Sequence, residues 1–340
     1  MRKATVVSLT AATILSLGAG AAFAADPTDT GKQPVAAKAE HVSSDIQLSK
    51  ANAKLLNGYY NAFLKGDVNA AAQYVSADFV GHVPGKGANA GEYWSQDGFK
   101  KYMSNILAHT GRRYDVKVPV VSANGADVIT REKIIATRAD NPHKTFSLPV
   151  TMHFRFKAGK ISEAWTLPED QRLFDKYWAP LTDGSKAPTG RPLSKDTDVI
   201  NVGEATSEKT LGLIKHLYND FWHGDIADIR SKISDNVSVN IVGKSAMSGQ
   251  YHGWDGYMQF RTNLMKMVGS KYKLEADTYS ASANDAWVKE YIRMDRKWDK
   301  SFDTVYVMMH FRFKDGKIVH IDDFPVDTYA WEKFYTPPQH

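Results

Sequence analysis

Two carboxylates stand on strand faces that should otherwise be apolar. Glu132 alternates in register with Val128, Ile134 and Ala136, and Glu290 with Val288, Ile292 and Met294. A carboxylate on a core-facing position loses hydration, so its pKa rises. That suits it to take or give a proton near neutral pH. The same placement fits a structural carboxylate bonded to a buried Arg, Tyr or Trp, and both readings stay open. Two histidines sort the other way. In 150–156, Val150, Met152, Phe154 and Phe156 share one face, and Thr151, His153 and Arg155 the other. In 305–313, Val305, Val307, Met309, Phe311 and Phe313 stand against Tyr306, Met308, His310 and Arg312. His153 and His310 are therefore predicted to point away from the core. They read as the lining of a contact between the two halves of the chain, with a catalytic role as the alternative.

Other chemistries lack their residues. The sequence contains no cysteine, which excludes disulfides, zinc–thiolate sites, iron–sulfur clusters and thiol nucleophiles. His109, His143, His216, His223 and His252 show no metal-ligand spacing, so no metal site is expected. There is no P-loop, no dinucleotide fingerprint and no Gly-x-Ser-x-Gly, and no cofactor is expected. The formal net charge is +5 and no Lys/Arg run concentrates it, which gives nucleic-acid binding little support.

The elements that carry these residues occur twice. Met152-His153-Phe154-Arg155-Phe156-Lys157-Ala158-Gly159-Lys160-Ile161 returns from Met309 to Ile318 with one change, Asp315 for Ala158. Each copy reads as strand, tight turn, strand, with Gly at the position needing positive φ. Tyr60-Asn61-Ala62-Phe63 with Gly66-Asp67 matches Tyr218-Asn219-Asp220-Phe221 with Gly224-Asp225. Gly91, Tyr93, Asp97 and Gly98 match Gly249, Tyr251, Asp255 and Gly256. The chain is thus a tandem duplication. Each repeat should begin with a helix. Leu55, Leu56, Tyr59, Tyr60, Phe63 and Leu64 form one apolar face, and Leu211, Ile214, Leu217, Tyr218, Phe221 and Trp222 the other. A short helix over about 68–75 and a strand over 78–83 follow. Next come a Gly-rich loop over 86–96, a third helix N-capped by Asp97, four strands and an aromatic tail over 174–178. Residues 181–206 are polar and without period, and read as a linker.

In that order the pattern resembles the SnoaL-like branch of the nuclear-transport-factor-2-like superfamily. The resemblance rests on the aromatic first helix ending in Phe-x-x-Gly-Asp, on Asp78-Phe79-Val80-Gly81-His82-Val83-Pro84, and on Phe-Arg-Phe-Lys-x-Gly-Lys-Ile. It covers both repeats, 48–180 and 207–337. It implies an α+β fold of two cones, each a curved, mostly antiparallel sheet wrapped around three helices with a pocket at the wide end. The family includes polyketide cyclases, steroid isomerases, dehydratases and epoxide hydrolases, and many members without catalysis, so the fold does not fix the function. The resemblance places His82 where a pocket histidine often stands, with Asn240 in the second repeat. It places Asp323 where an acidic residue often follows Gly-Lys-Ile, with Thr166 in the first repeat. His82 also reads as a strand-end surface histidine.

His82 and Glu132 in the first repeat, and Glu290 and Asp323 in the second, are thus the candidate proton carriers. Tyr60, Trp94, Tyr218, Asn240, Tyr251 and Trp254 are candidate ligand contacts, though an aromatic helix stripe also serves as plain core. The expected ligand is a small hydrophobic or aromatic molecule. The alternative is a cofactor-free acid/base isomerase, cyclase or dehydratase acting on a small apolar carbonyl compound. Residues 1–24 read as a signal peptide: Arg2 and Lys3, an apolar run from Val6 to Leu17, and Ala22-Phe23-Ala24 as cleavage site. Export to a periplasm or beyond is expected, with no membrane anchor after cleavage. A disordered leader over 25–47 should follow, and the repeats should pack as an intramolecular pseudo-dimer.

Overall fold

A computed structural model describes residues 35–182, 205–223 and 225–337, with side chains described outside 35–44, 220–223, 270 and 299–303. The expected signal peptide, the leader up to residue 34, the linker over 183–204, Gly224 and the side chains of Phe221 and Trp222 lie outside the described residues.

The first repeat opens with α1 (Val35–Leu64). Residues 35–47, expected as part of a disordered leader, are helical instead. The stretch holds Ala, Lys, Glu and Gln with no Gly or Pro after Pro34, and those residues favour helix. Gly66, at φ 67°, ends it. Asp67 then caps α2 (Val68–Ala72), its carboxylate accepting from the Ala70 N–H at 2.9 Å. Strand β1 (Val75–Val83) leads to a short β2 (Gly91–Trp94), a strand inside what the sequence presented as loop. Trp94, rather than Asp97, is the N-cap of α3 (Ser95–Thr110), and Asp97 lies in its first turn. Four strands follow: β3 (Tyr114–Asn124), β4 (Asp127–Arg138), β5 (Asn141–Lys157) and β6 (Lys160–Pro168). The β5–β6 turn holds both Ala158 (φ 49°) and Gly159 (φ 71°) in the left-handed region, as a two-residue hairpin that follows strand twist requires. The aromatic tail is a helix, α4 (Gln171–Tyr177), capped by Asp170.

The second repeat runs in the same order: α5 (Glu208–His223), α6 (Ile226–Lys232), β7 (Ile233–Ile241), β8 (Gly249–His252) and α7 (Gly253–Met267). Then come β9 (Val268–Ala281), β10 (Asp285–Arg296), β11 (Asp299–Lys314), β12 (Lys317–Pro325) and α8 (Thr328–Phe334). Asp225 caps α6 as Asp67 caps α2.

The fold is α+β. Within each repeat the strands pair antiparallel except the first with the last, β1–β6 and β7–β12, which run parallel. The sheet order is β2-β1-β6-β5-β4-β3-β9-β10-β11-β12-β7-β8. The halves join through one backbone pair, Ala123 with Ala281. Each half packs its apolar face against its own helices and forms its own core, one around Leu56, Phe99 and Phe154, the other around Ile214, Val288 and Phe311.

A third, smaller cluster lies between the halves on the opposite sheet faces: Ile129, Trp165 and Leu167 with Trp287, Met308 and Phe324. Polar pairs surround it. Arg131 Nη1 donates to Asp322 at 3.3 Å, Arg172 holds Glu332 through two nitrogens at 2.8 and 2.5 Å, and the Tyr329 hydroxyl donates to Asp175 at 2.8 Å. His153 is fully buried, stacked on Trp165 at 4.5 Å, with Nε2 2.7 Å from Asp127. His310 is its counterpart, stacked on Trp287 at 4.1 Å, with Nε2 2.8 Å from Asp285. Arg155 reaches Thr278 of the other half at 3.4 Å.

Candidate functional site

Strand alternation brings both glutamates to the helix-packed face. Glu132 and Glu290 are 5% and 4% exposed, and each lines a cavity inside its own repeat. The surroundings differ.

In the first repeat the cavity measures about 50 Å³. The Tyr60 hydroxyl, from α1, donates to Glu132 Oε1, and Thr130 Oγ1 donates to the same oxygen at 3.1 Å. Burial pushes the Glu132 carboxyl up to about 7, against the pull of those two hydrogen bonds. Thr166, from β6, completes the polar wall.

His82 does not join this group. Phe79, Gly81 and Val83 are the buried positions of β1, so alternation turns His82 outward. Its Nδ1 lies 2.8 Å from Glu92 and its Nε2 2.9 Å from Glu163, and its ring stacks on Trp165 at 5.2 Å. It borders a space of about 20 Å³ that shares Tyr59, Tyr102 and Thr166 with the Glu132 cavity but not Glu132 itself, and another of about 280 Å³ beside Trp165 and Lys289. His82 and Glu132 therefore do not form the proton-carrying pair expected from the sequence.

In the second repeat the cavity measures about 70 Å³, and two carboxyls share it. Asp323 on β12 pairs with Met309 on β11, and Met309 pairs with Val288, two residues before Glu290 on β10. Three adjacent strands thus present Glu290 and Asp323 on one face. The remaining wall is apolar and aromatic: Tyr218 from α5, Tyr257 and Phe260 from α7, Phe311, and Trp331 and Tyr335 from the closing helix. Burial pushes Glu290 up to about 8, against a hydrogen bond from Tyr218. Asp323 is pushed well up by burial, then by the charges of Glu290 and Asp322. Three oxygens here have no protein partner: Glu290 Oε2, Asp323 Oδ1 and Tyr335 Oη. Buried polar atoms ordinarily have one.

The neighbouring Asp322 faces the other way. Burial works to raise its carboxyl, but hydrogen bonds from His310 and His320 and the charges of His320 and Arg131 outweigh it and hold it far below the usual range.

Of the expected ligand contacts, Tyr60 and Tyr218 line the cavities. The other four do not. Trp94 is 64% exposed. Asn240 alternates outward between Val239 and Ile241, and its amide donates to Asp322 at 3.2 Å. The Tyr251 hydroxyl donates to the Met247 carbonyl at 3.0 Å, and Trp254 stacks on Tyr257 under the Arg230 guanidinium. Trp331 and Tyr335 were not among the expected contacts. Their i, i+4 spacing on the last helix, matching Phe174 and Trp178 in the first repeat, is the signal that points to one wall. Among the described residues no group of three or more His, Asp or Glu could hold a metal ion, and no helix is long and apolar enough to cross a membrane.

This architecture, in each repeat a curved sheet packed on helices with a buried carboxyl on the cavity wall, defines a cone-shaped α+β class. Residues 56–164 match the family model of the SnoaL-like domain. The first repeat is thus a SnoaL-like domain of the nuclear-transport-factor-2-like superfamily. No curated protein matches the chain. Solved structures similar to part of it include Bal32a from a soil-derived mobile gene cassette, 21% identical, spanning 38% of this chain and 98% of that one (TM-score 0.36). A nuclear-transport-factor-2-like protein of unknown function from Burkholderia pseudomallei is 17% identical, spanning 38% and 99% (TM-score 0.35). A putative polyketide cyclase from Xanthomonas campestris is 12% identical, spanning 38% and 98% (TM-score 0.32).

Proposed function

We propose that this chain binds a small, largely apolar molecule carrying a polar head, and that the second repeat is the working site. The observation that carries the reading is the pair of buried carboxyls, each with an oxygen lacking a protein partner, on the wall of an otherwise apolar cavity. Such a wall supplies hydrophobic burial and a few convergent polar groups, which is the composition of small-molecule sites. Leaving those oxygens unsatisfied costs about 1–3 kcal/mol each, so a ligand that meets them gains that much over one that does not. In this reading the second repeat is also a SnoaL-like domain, and the two repeats form an intramolecular pseudo-dimer. The first repeat, whose glutamate is bonded by Tyr60 and Thr130, then serves mainly as a scaffold. Residues 1–24 direct export, so binding takes place outside the cytoplasm.

The test is native mass spectrometry of protein purified from its own host, followed by denaturing extraction. One small molecule per chain is expected. A chain that emerges empty, and also fails to bind any small amine, alcohol or ketone offered to it, would refute the reading.

A second reading is favoured by the raised Glu290. A carboxyl near 8 beside another proton-bearing group can move protons on a small carbonyl compound without a cofactor. A pH–rate bell on such a compound that vanishes in Glu290→Gln would establish it.

A further inference from the structure

The geometry points to a compact primary amine, bound as its ammonium ion, as the ligand of the second-repeat cavity. This rests on the binding reading above and names the chemical class of the ligand.

Glu290 and Asp323 lie together in one cavity, and no Lys, Arg or His lines it. Buried carboxyls are ordinarily matched by a cation or a full set of donors. The first repeat offers the contrast. There, Thr166 stands in place of Asp323, and the glutamate has two donors, Tyr60 and Thr130, where Glu290 has Tyr218. The second repeat carries an additional carboxyl and leaves three acceptor oxygens open: Glu290 Oε2, Asp323 Oδ1 and Tyr335 Oη. A primary ammonium has three N–H donors and no acceptor. Its donors equal the open oxygens in number. A carbonyl oxygen has no N–H or O–H to give, so it cannot serve those oxygens as acceptors. The Trp331 indole N–H, also without a protein partner, is a donor that the ammonium does not use, so it remains open to an acceptor elsewhere on the ligand. The aromatic faces of Tyr218, Tyr257, Phe311 and Trp331 attract a cation and accept its alkyl body.

The charge balances through a proton. Without a cation, burial favours the protonated form of both carboxyls, with Glu290 pushed up to about 8. When the ammonium enters, one O–H bond breaks, the proton leaves to solvent and the carboxylate stays to pair with the ligand. The groups facing Glu290 are the Tyr218 hydroxyl from α5, Tyr272 and Tyr279 from β9, Asp323 from β12 and Tyr335 after α8. Arg261 on α7 lies near Tyr257 and Tyr272, and Arg296 against Phe334, and neither is among the residues that line the cavity. None of these brings a positive charge into the cavity.

The experiment is calorimetric titration of the full mature chain with isobutylamine, and with isobutanol and butanone as neutral counterparts. It is run from pH 6 to 9 in phosphate and in a second buffer of different ionisation enthalpy. The amine should bind at least about tenfold tighter than either neutral compound. It should release close to one proton at pH 7, and tighten severalfold to tenfold per pH unit up to about 8. Asp323→Thr, which installs the residue of the first repeat, should weaken the amine at least about tenfold while moving the neutral compounds less than about threefold. Should that variant not fold, the comparison of amine with alcohol across pH decides alone. Equal or tighter binding of isobutanol or butanone, or an amine affinity that falls as pH rises, overturns the amine assignment and leaves the apolar-ligand reading standing. If none of the three binds, the amine assignment falls too, and an empty chain in the mass-spectrometric test then takes the binding reading with it.

Discussion

At the scale of single residues, Glu132 and Glu290 occupy the same position in two copies and differ in what completes them. Tyr60→Phe removes the hydroxyl that bonds Glu132 and Thr130. It should cost about 1–3 kcal/mol by urea unfolding, since a buried carboxyl loses a donor. Glu290 makes a prediction with a sign. Its value in the fold, about 8, lies above the ordinary 4.5. The folded protein therefore keeps a proton that the unfolded chain gives up, and stability falls as pH rises from about 4.5 to 8. Glu290→Gln cannot ionise. Relative to the parent it should gain on the order of 3 kcal/mol between pH 5 and pH 8, read as a flatter dependence of Tm on pH. These two residues were legible in the sequence because strand alternation assigns a face from neighbours alone. The same alternation turns His82 outward, between Gly81 and Val83. The family pattern suggested a pocket histidine at that place. The local rule of side-chain direction prevailed.

At the scale of elements, the short closing helix α8 decides the shape of the second cavity. It carries Trp331, and Tyr335 follows directly, so both reach a wall otherwise built from strands and from α5 and α7. Only Asp327 caps it, accepting from the Tyr329 and Ala330 N–H groups at 2.9 and 3.0 Å. Asp327→Ala should cost about 1 kcal/mol. It should also weaken ligand retention, because a frayed α8 no longer holds the Tyr335 hydroxyl in place; equilibrium unfolding and native mass spectrometry read the two effects. In the sequence this segment reads as an aromatic tail, without its role as a cavity wall. Its contacts are made with strands and helices far away in the chain, and nothing local announces them. The helix over 35–47 was missed for another reason. Its composition resembles that of a disordered segment, and only the absence of Gly and Pro after Pro34 distinguishes it.

At the scale of the whole molecule, the duplication produced unequal copies meeting through an apolar seam. Trp287 is fully buried there, stacked on His310 and next to Phe324. Trp287→Ala should cost about 3–5 kcal/mol. It should also split one calorimetric transition into two, because each repeat has its own core and the seam is the largest apolar link between them. A single unsplit transition at lower Tm would show that the repeats unfold together for another reason. The seam has a pH sense too. Burial lowers the pKa of His153, against its bond to Asp127. Stability from keeping that ring neutral is present above about 6.5 and drains away as pH falls below it.

The single pairing of Ala123 with Ala281 reaches further than the seam. It pairs β3 with β9 at that one residue and links the two half-sheets into one strand order whose outermost members are β2 and β8. Each of these is four residues long and begins at a glycine with positive φ, Gly91 or Gly249. Long, flat borders invite other chains to add strands and build fibrils. Outer borders this short and kinked offer little template, so neither end of the strand order invites a further chain to extend it.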